Sequence, residues 1–156
     1  MTQGVVESTV QEVLEEVVTA LGLKGEVEVD RAGDVVTGTV HGHDLGLFIG
    51  RHGQTIDAVQ HLVFRIVLTR GGGATEGDLR VIIDAEGYRA RRAEALQRLA
   101  DQAAEDARRQ GRPVALDVMT ASERKLVHEY LRDVAGVETY SEGQEPDRHL
   151  VVSPTS

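Results

Sequence analysis

Gly50-Arg51-His52-Gly53 is the stretch of this chain whose residue types and spacing point most directly to chemistry. Two glycines bracket two basic-type side chains, so the backbone can come close to an anion that the tip residues attract. An apolar turn, Leu47-Phe48-Ile49, runs into it, and Gln54-Thr55-Ile56-Asp57 follows at once as the opening of a helix. The N–H groups that open a helix point outward and favour negative charge. The chemistry implied is the holding of a phosphate, with Ile49, Gly50, Arg51, His52, Gly53, Gln54 and Thr55 as the contacting stretch. The other Gly-x-x-Gly, Gly22-Leu23-Lys24-Gly25, lies between a helix end and a strand, where its glycines serve as cap and turn.

A second constellation is Arg124-Lys125-Leu126-Val127-His128, in a segment opened by the capping box Thr120-Ala121-Ser122-Glu123. At about 100° per residue, Leu126, Val127, Tyr130, Leu131 and Val134 share one arc. Arg124, Lys125, His128 and Arg132 fall beside it as a basic stripe. Arg124 and His128 are one turn apart and therefore neighbours. An arginine fork beside a histidine suits a phosphate or a sugar. The same stripe equally suits a solvated flank whose arginine pairs with a nearby carboxylate. Arg148 and His149 add basic groups after Ser141-Glu142-Gly143-Gln144-Glu145-Pro146-Asp147, whose Ser, Gly and Pro dictate a turn. The nucleic-acid-contacting candidates here are Arg124, Lys125, His128 and Arg148.

These residues must be positioned by regular elements. Val5, Val6, Thr9, Val10, Val13, Leu14, Val17, Val18 and Leu21 repeat at helical spacing, with Gly22 placed as the cap. Strands over 26–30 and 35–41 flank a turn at Arg31-Ala32-Gly33-Asp34. A short helix over 44–49 leads to a longer one over 54–68 that buries Ile56, Val59, Leu62, Val63, Ile66 and Val67. Gly71-Gly72-Gly73 opens a flexible loop before a strand over 79–84. The order is α-β-β-α-α-β with Gly-x-x-Gly between the last two helices. That is the arrangement of a type II KH domain, a three-stranded sheet with helices on one face, whose loop clamps the backbone of a single strand. Beyond it come a long helix over 88–110, ended by Gly111 and Pro113, a strand over 114–118 and the capped helix reaching 134. Two strands over 137–140 and 149–152 enclose a polar loop, and Ser153 to Ser156 read as a loose tail.

Composition bounds the function. With 156 residues, 40% of them hydrophobic, the chain can bury a core. It has no cysteine, which excludes disulfides, thiolate zinc sites and thiol catalysis and fits a reducing cytoplasm. Met1-Thr2-Gln3-Gly4 lacks the basic and apolar regions of a signal peptide. No apolar run approaches the ~20 residues of a bilayer span, so membrane insertion is not expected. The net charge of -9 argues against indiscriminate binding of nucleic acid. Its distribution matters more: residues 1–30 hold seven acids and one base, whereas residues 88–112 hold four acids and seven bases. Three Tyr, two Phe and no Trp leave little for base stacking.

Ile49 to Ala58, Arg124-x-x-x-His128 and Ser141 to Arg148, in that order, resemble the bacterial Jag (SpoIIIJ-associated) family, which pairs a KH domain with an R-three-H (Arg-x-x-x-His) domain. The resemblance covers about residues 5 to 152. It implies an α+β chain: a KH domain over 1–86, then a small α/β R-three-H domain over 87–156 with a three-stranded sheet and two helices. It implies a cytoplasmic, non-catalytic protein that binds single-stranded RNA, with single-stranded DNA as the other candidate. In several bacteria the family is linked to cell elongation and division, and a small separate KH protein is an implied partner. Many members carry a further Jag-N domain and linker ahead of the KH helix. The family often has an arginine where this chain has His149.

Two rival readings compete. His41 and His43 lie on one strand face with Asp44 beside them, a set that suits a metal. No second cluster, nucleophile–base pair or Walker loop accompanies them, so no enzyme, metal or cofactor is expected. The other rival is a protein-interaction module, its acidic first helix facing a basic partner.

Overall fold

The computed structural model describes residues 2–71 and 77–156. The expected glycine loop falls mostly on residues 72–76, outside the described residues. The chain divides into two compact units, the first ending at Tyr88 and the second beginning at Arg89. Tyr88, read from the sequence as the start of the second half, packs against the first core.

The first unit runs α1 (Thr2–Ala20), β1 (Gly25–Ala32), β2 (Val35–Gly42), α2 (Gly46–Ile49), a single 3-10 turn at Arg51–Gly53, α3 (Gln54–Arg70) and β3 (Arg80–Ala85). The sheet order is β1-β2-β3. β1 and β2 form an antiparallel hairpin, while β2 and β3 are parallel, with α2 and α3 as the crossover that parallel pairing demands. Valines suit these strands, and alternation sends Val36, Val40, Val81 and Ile83 to the buried face. Val6, Val10, Val13, Leu14 and Val18 of α1 meet them, with Ile56, Val59, Val63 and Val67 of α3. Each such side chain contributes about 1.5–3 kcal/mol on burial. α1 rests on the sheet at Gly38, where a Cβ would lie 2.6 Å from Leu14 Cδ1 and 2.8 Å from Val10 Cγ1. At its end Gly22 N–H donates to Thr19 O and Leu23 N–H to Val18 O, so the cap forms as expected.

The buried stripes are narrower than the apolar spacing implies. Leu62 is 51% exposed, and Val5 and Leu21 are exposed too, each at the margin of its helix's sheet-facing side. The hairpin is also tighter than expected. Ala32 pairs with Val35, so only Gly33 and Asp34 turn the chain.

The second unit runs α4 (Tyr88–Gln110), β4 (Val114–Val118), α5 (Ala121–Leu131), β5 (Val137–Glu142) and β6 (His149–Pro154), with sheet order β4-β6-β5 and antiparallel pairing throughout. Leu96, Ala100, Ala103, Ala104 and Ala107 form a narrow stripe on α4 that packs with Val127, Leu131, Leu150 and Val152. The capping box at α5 is formed: Thr120 Oγ1 accepts from Glu123 N–H, and Glu123 Oε2 accepts from Thr120 N–H, both at 3.3 Å. Glu123 also takes Arg92 Nε at 2.7 Å, which lets a buried carboxylate persist.

Ser153 to Thr155 do not form the expected loose tail. Ser153 pairs with Glu138, Pro154 pairs with Val137, and Thr155 N–H donates to Gly136 O at 3.0 Å. α5 ends at Leu131, short of the expected 134, where Leu131 O instead accepts from Val134 N–H in a turn.

Candidate nucleic-acid interface

Three of the four residues in the Gly50–Gly53 loop have positive φ. Gly50 sits at φ 74, ψ 177, a region essentially restricted to glycine, and a Cβ there would lie 2.2 Å from Thr55 Oγ1. Gly53 sits at φ 78, ψ 14, and a Cβ there would press the Tyr88 ring at 3.0 Å. His52, at φ 54, occupies the left-handed region that histidine tolerates better than most residues.

This turn leaves Arg51 exposed and His52 half-buried. It delivers the chain into α3 with Gly53 as N-cap and no side-chain cap bond. Gly53 has no side chain with which to cap the opening amides of α3, and an anion suits that place. Of the stretch chosen from sequence, Arg51, His52 and Gln54 offer reachable side chains, Gly50 and Gly53 shape the approach, Thr55 backs Gly50, and Ile49 packs on the core.

A groove of about 270 Å³ runs along α3 beside β3, lined by Asp57, Gln60, His61, Phe64, Leu79, Arg80 and Val81. Ile83 N–H, on the open edge of β3, donates to Gln60 Oε1 at 2.9 Å. Sequence reasoning chose none of these as contacting residues. The signal was present in the helical spacing of Asp57, Gln60, His61 and Phe64, which flank the buried stripe of α3.

In the second unit, a cleft of about 400 Å³ gathers all four residues chosen from sequence, Arg124, Lys125, His128 and Arg148, with Ala121 and Ser141 beside them. Lys125 and His128 are exposed. His128 Nδ1 shares a hydrogen bond with the Thr139 hydroxyl, and Lys125 Nζ lies 4.0 Å from Glu129. Arg148 Nη1 donates to Gly143 O at 2.6 Å.

Arg124 corrects the expected exposed stripe. It is 7% exposed, and its guanidinium donates to Met119 O at 2.6 Å, to Arg148 O at 3.4 Å and to the Glu145 carboxylate. The helical wheel set it at the stripe's edge. Loop 143–148, distant in sequence, folds back over the first turn of α5 and covers it. Glu145 was the residue missed.

His41, His43 and Asp44 line one cleft with Glu26, yet they are not gathered as a metal-holding set. His41 Nε2 lies 2.8 Å from Glu28 Oε2, and its Nδ1 lies 3.4 Å from Glu86 Oε1. The hydrogen bond to Glu28, helped by the charge of Glu86, raises the His41 pKa above its ordinary 6.5. Among the described residues no group of three or more metal-ligating side chains is gathered.

Comparison with known proteins follows this division. Residues 7–75 match the KhpA/KhpB KH domain, and residues 94–154 match the R-three-H domain. The chain is 35% identical over 144 residues to the RNA-binding protein KhpB of Clostridium symbiosum, covering 91% of this chain and 63% of that one. It is 37% identical over 137 residues to the KhpB of Lactiplantibacillus plantarum, covering 88% and 41%. To the KhpB of Bacillus subtilis it is 34% identical over 142 residues, covering 90% and 66%. The chain thus spans from two fifths to two thirds of the length of these relatives.

Proposed function

The chain belongs to the KhpB (Jag) family of KH and R-three-H proteins, and on that premise we propose that it binds single-stranded RNA without catalysing a reaction on it. The observation that carries this reading is the Gly50–Gly53 loop. Its backbone is bent so that Arg51 and the opening amides of α3 can meet one phosphate. The groove of Phe64, Leu79 and Val81 takes a base against aliphatic and aromatic surface, with polar groups at Gln60 and Arg80. In the second unit Lys125, His128 and Arg148 hold a further stretch of backbone, with Arg124 beneath them. Single-stranded DNA is the second candidate ligand.

The resemblance further supports a cytoplasmic post-transcriptional regulator linked to cell elongation and division, with a small KH protein as partner. Among the described residues no helix is long and apolar enough to cross a membrane. A second reading, a module that pairs with another KH protein and binds RNA only secondarily, draws on Leu62, half exposed on α3.

Salt dependence separates the two. If about three or four phosphates are held, log K falls against log salt with a slope near -2 to -3, at ~0.7 per phosphate for a single strand. A slope near zero would show that the backbone is not held and would favour the interaction module.

A further inference from the structure

The second-unit cleft has an acid close by. Glu145 lies outside the residues that line it, on the loop leading to Arg148, and its side chain is 60% exposed. A carboxylate there repels a phosphate unless it serves another purpose. Its partner is Arg124, whose side chain is only 9% exposed. An arginine presents five donors in a rigid fork, and Arg124 uses that fork to join three separate segments. It reaches Met119 O ahead of α5, Arg148 O just before β6, and Glu145 in the loop between β5 and β6.

Arg148 is held through both its backbone and its side chain. Its carbonyl accepts from Arg124 Nη1 and from Met119 N–H, and its guanidinium donates to Gly143 O. Within the loop, Asp147 N–H donates to Gln144 O at 2.8 Å. Glu145 is the side chain through which the buried arginine holds the tip of the loop that carries Arg148.

We propose that Glu145 is a positioning residue: through Arg124 it fixes loop 143–148 and so aims Arg148 at the phosphate of a bound strand. This rests on reading the cleft as a nucleic-acid site. Glu145 contributes reach and an acceptor, and its charge is answered by Arg124.

The test separates reach from charge. The full chain and its variants are titrated against a fluorescein-labelled single-stranded oligouridine, with thermal melting in parallel. Glu145→Gln keeps the length and an acceptor and should bind within about twofold of the parent. Glu145→Asp keeps the charge but falls short of Arg124, and it should weaken binding about fivefold, the scale of one ordinary net hydrogen bond. Glu145→Ala should match it. Combined with Arg148→Ala, it should add no further loss, because both remove the same contact. Tighter binding by Glu145→Gln with parental binding by Glu145→Asp would overturn the proposal and leave Glu145 as a repulsive charge only. Full additivity with Arg148→Ala would overturn it too, as would a lowered melting temperature with unchanged affinity. Parental affinity in Arg148→Ala alone would remove Arg148 from the interface, and the proposal with it.

Discussion

Arg124 and His128 stand one turn apart on α5, yet their surroundings give them different tasks. Arg124 is buried and holds three acceptors, whereas His128 is exposed and shares one bond with Thr139. Arg124→Ala leaves the Met119 and Arg148 carbonyls without that donor and opens space beneath the loop. The expected cost is about 1–2 kcal/mol, and hence a fall of roughly 5 °C or more in the melting temperature of a unit this size. His128→Ala should change melting little while weakening RNA binding. Thermal denaturation followed by circular dichroism checks the stability of both, and equal melting of the two variants would return Arg124 to the solvated flank. The sequence revealed that these residues belong together. It could not show which is buried, because the cover comes from a loop whose approach depends on strand pairing.

Local chemistry made most elements legible. Capping at Thr120 and Glu123, the stop at Gly111 and Pro113, and the glycines at 50 and 53 are decided by nearest neighbours in the chain. Strand ends were less legible because they are decided by partners far away. Ser153 and Pro154 have no strand signature of their own, and they extend β6 because β5 lies beside them. The margins of the helices failed for a related reason: Leu62 has the spacing of a core residue but lies outside the strip that the sheet covers.

On the outer face of the first sheet, His41 of β2 stands between Glu28 of β1 and Glu86 after β3, with Glu26 directly across the ladder. Its folded pKa is raised, chiefly by the hydrogen bond to Glu28. The stabilisation from this pairing is therefore fully present below the ordinary value of about 6.5 and is lost as pH rises through the folded value. The melting-temperature gap between the parent and His41→Gln should be wider at about pH 6 than at about pH 8. A gap that does not vary with pH would show that the ring stays neutral throughout.

At the scale of the whole molecule, net charge misleads if it is read alone. The chain carries -9, but seven of its 26 acids lie in the first 30 residues, away from the loop and the second cleft in sequence. On the proposed reading, affinity for a strand follows the local field at the loop, while the acidic remainder suppresses non-specific attachment. On that reading each unit presents its own phosphate-directed surface, the Gly50–Gly53 loop in the first and the cleft of Lys125, His128 and Arg148 in the second. The central claim is that the first of these, the Gly50–Gly53 loop, holds RNA by its backbone. It is tested most directly by titrating a short labelled single-stranded RNA with the parent chain and with Arg51→Asp/His52→Asp, read by fluorescence anisotropy. The fold should survive, since Arg51 is exposed and aspartate tolerates the positive φ at position 52. Affinity should fall at least tenfold, about 1.4 kcal/mol, with the melting curve unchanged. Equal affinity in the two proteins would contradict the claim and remove this loop from the interface.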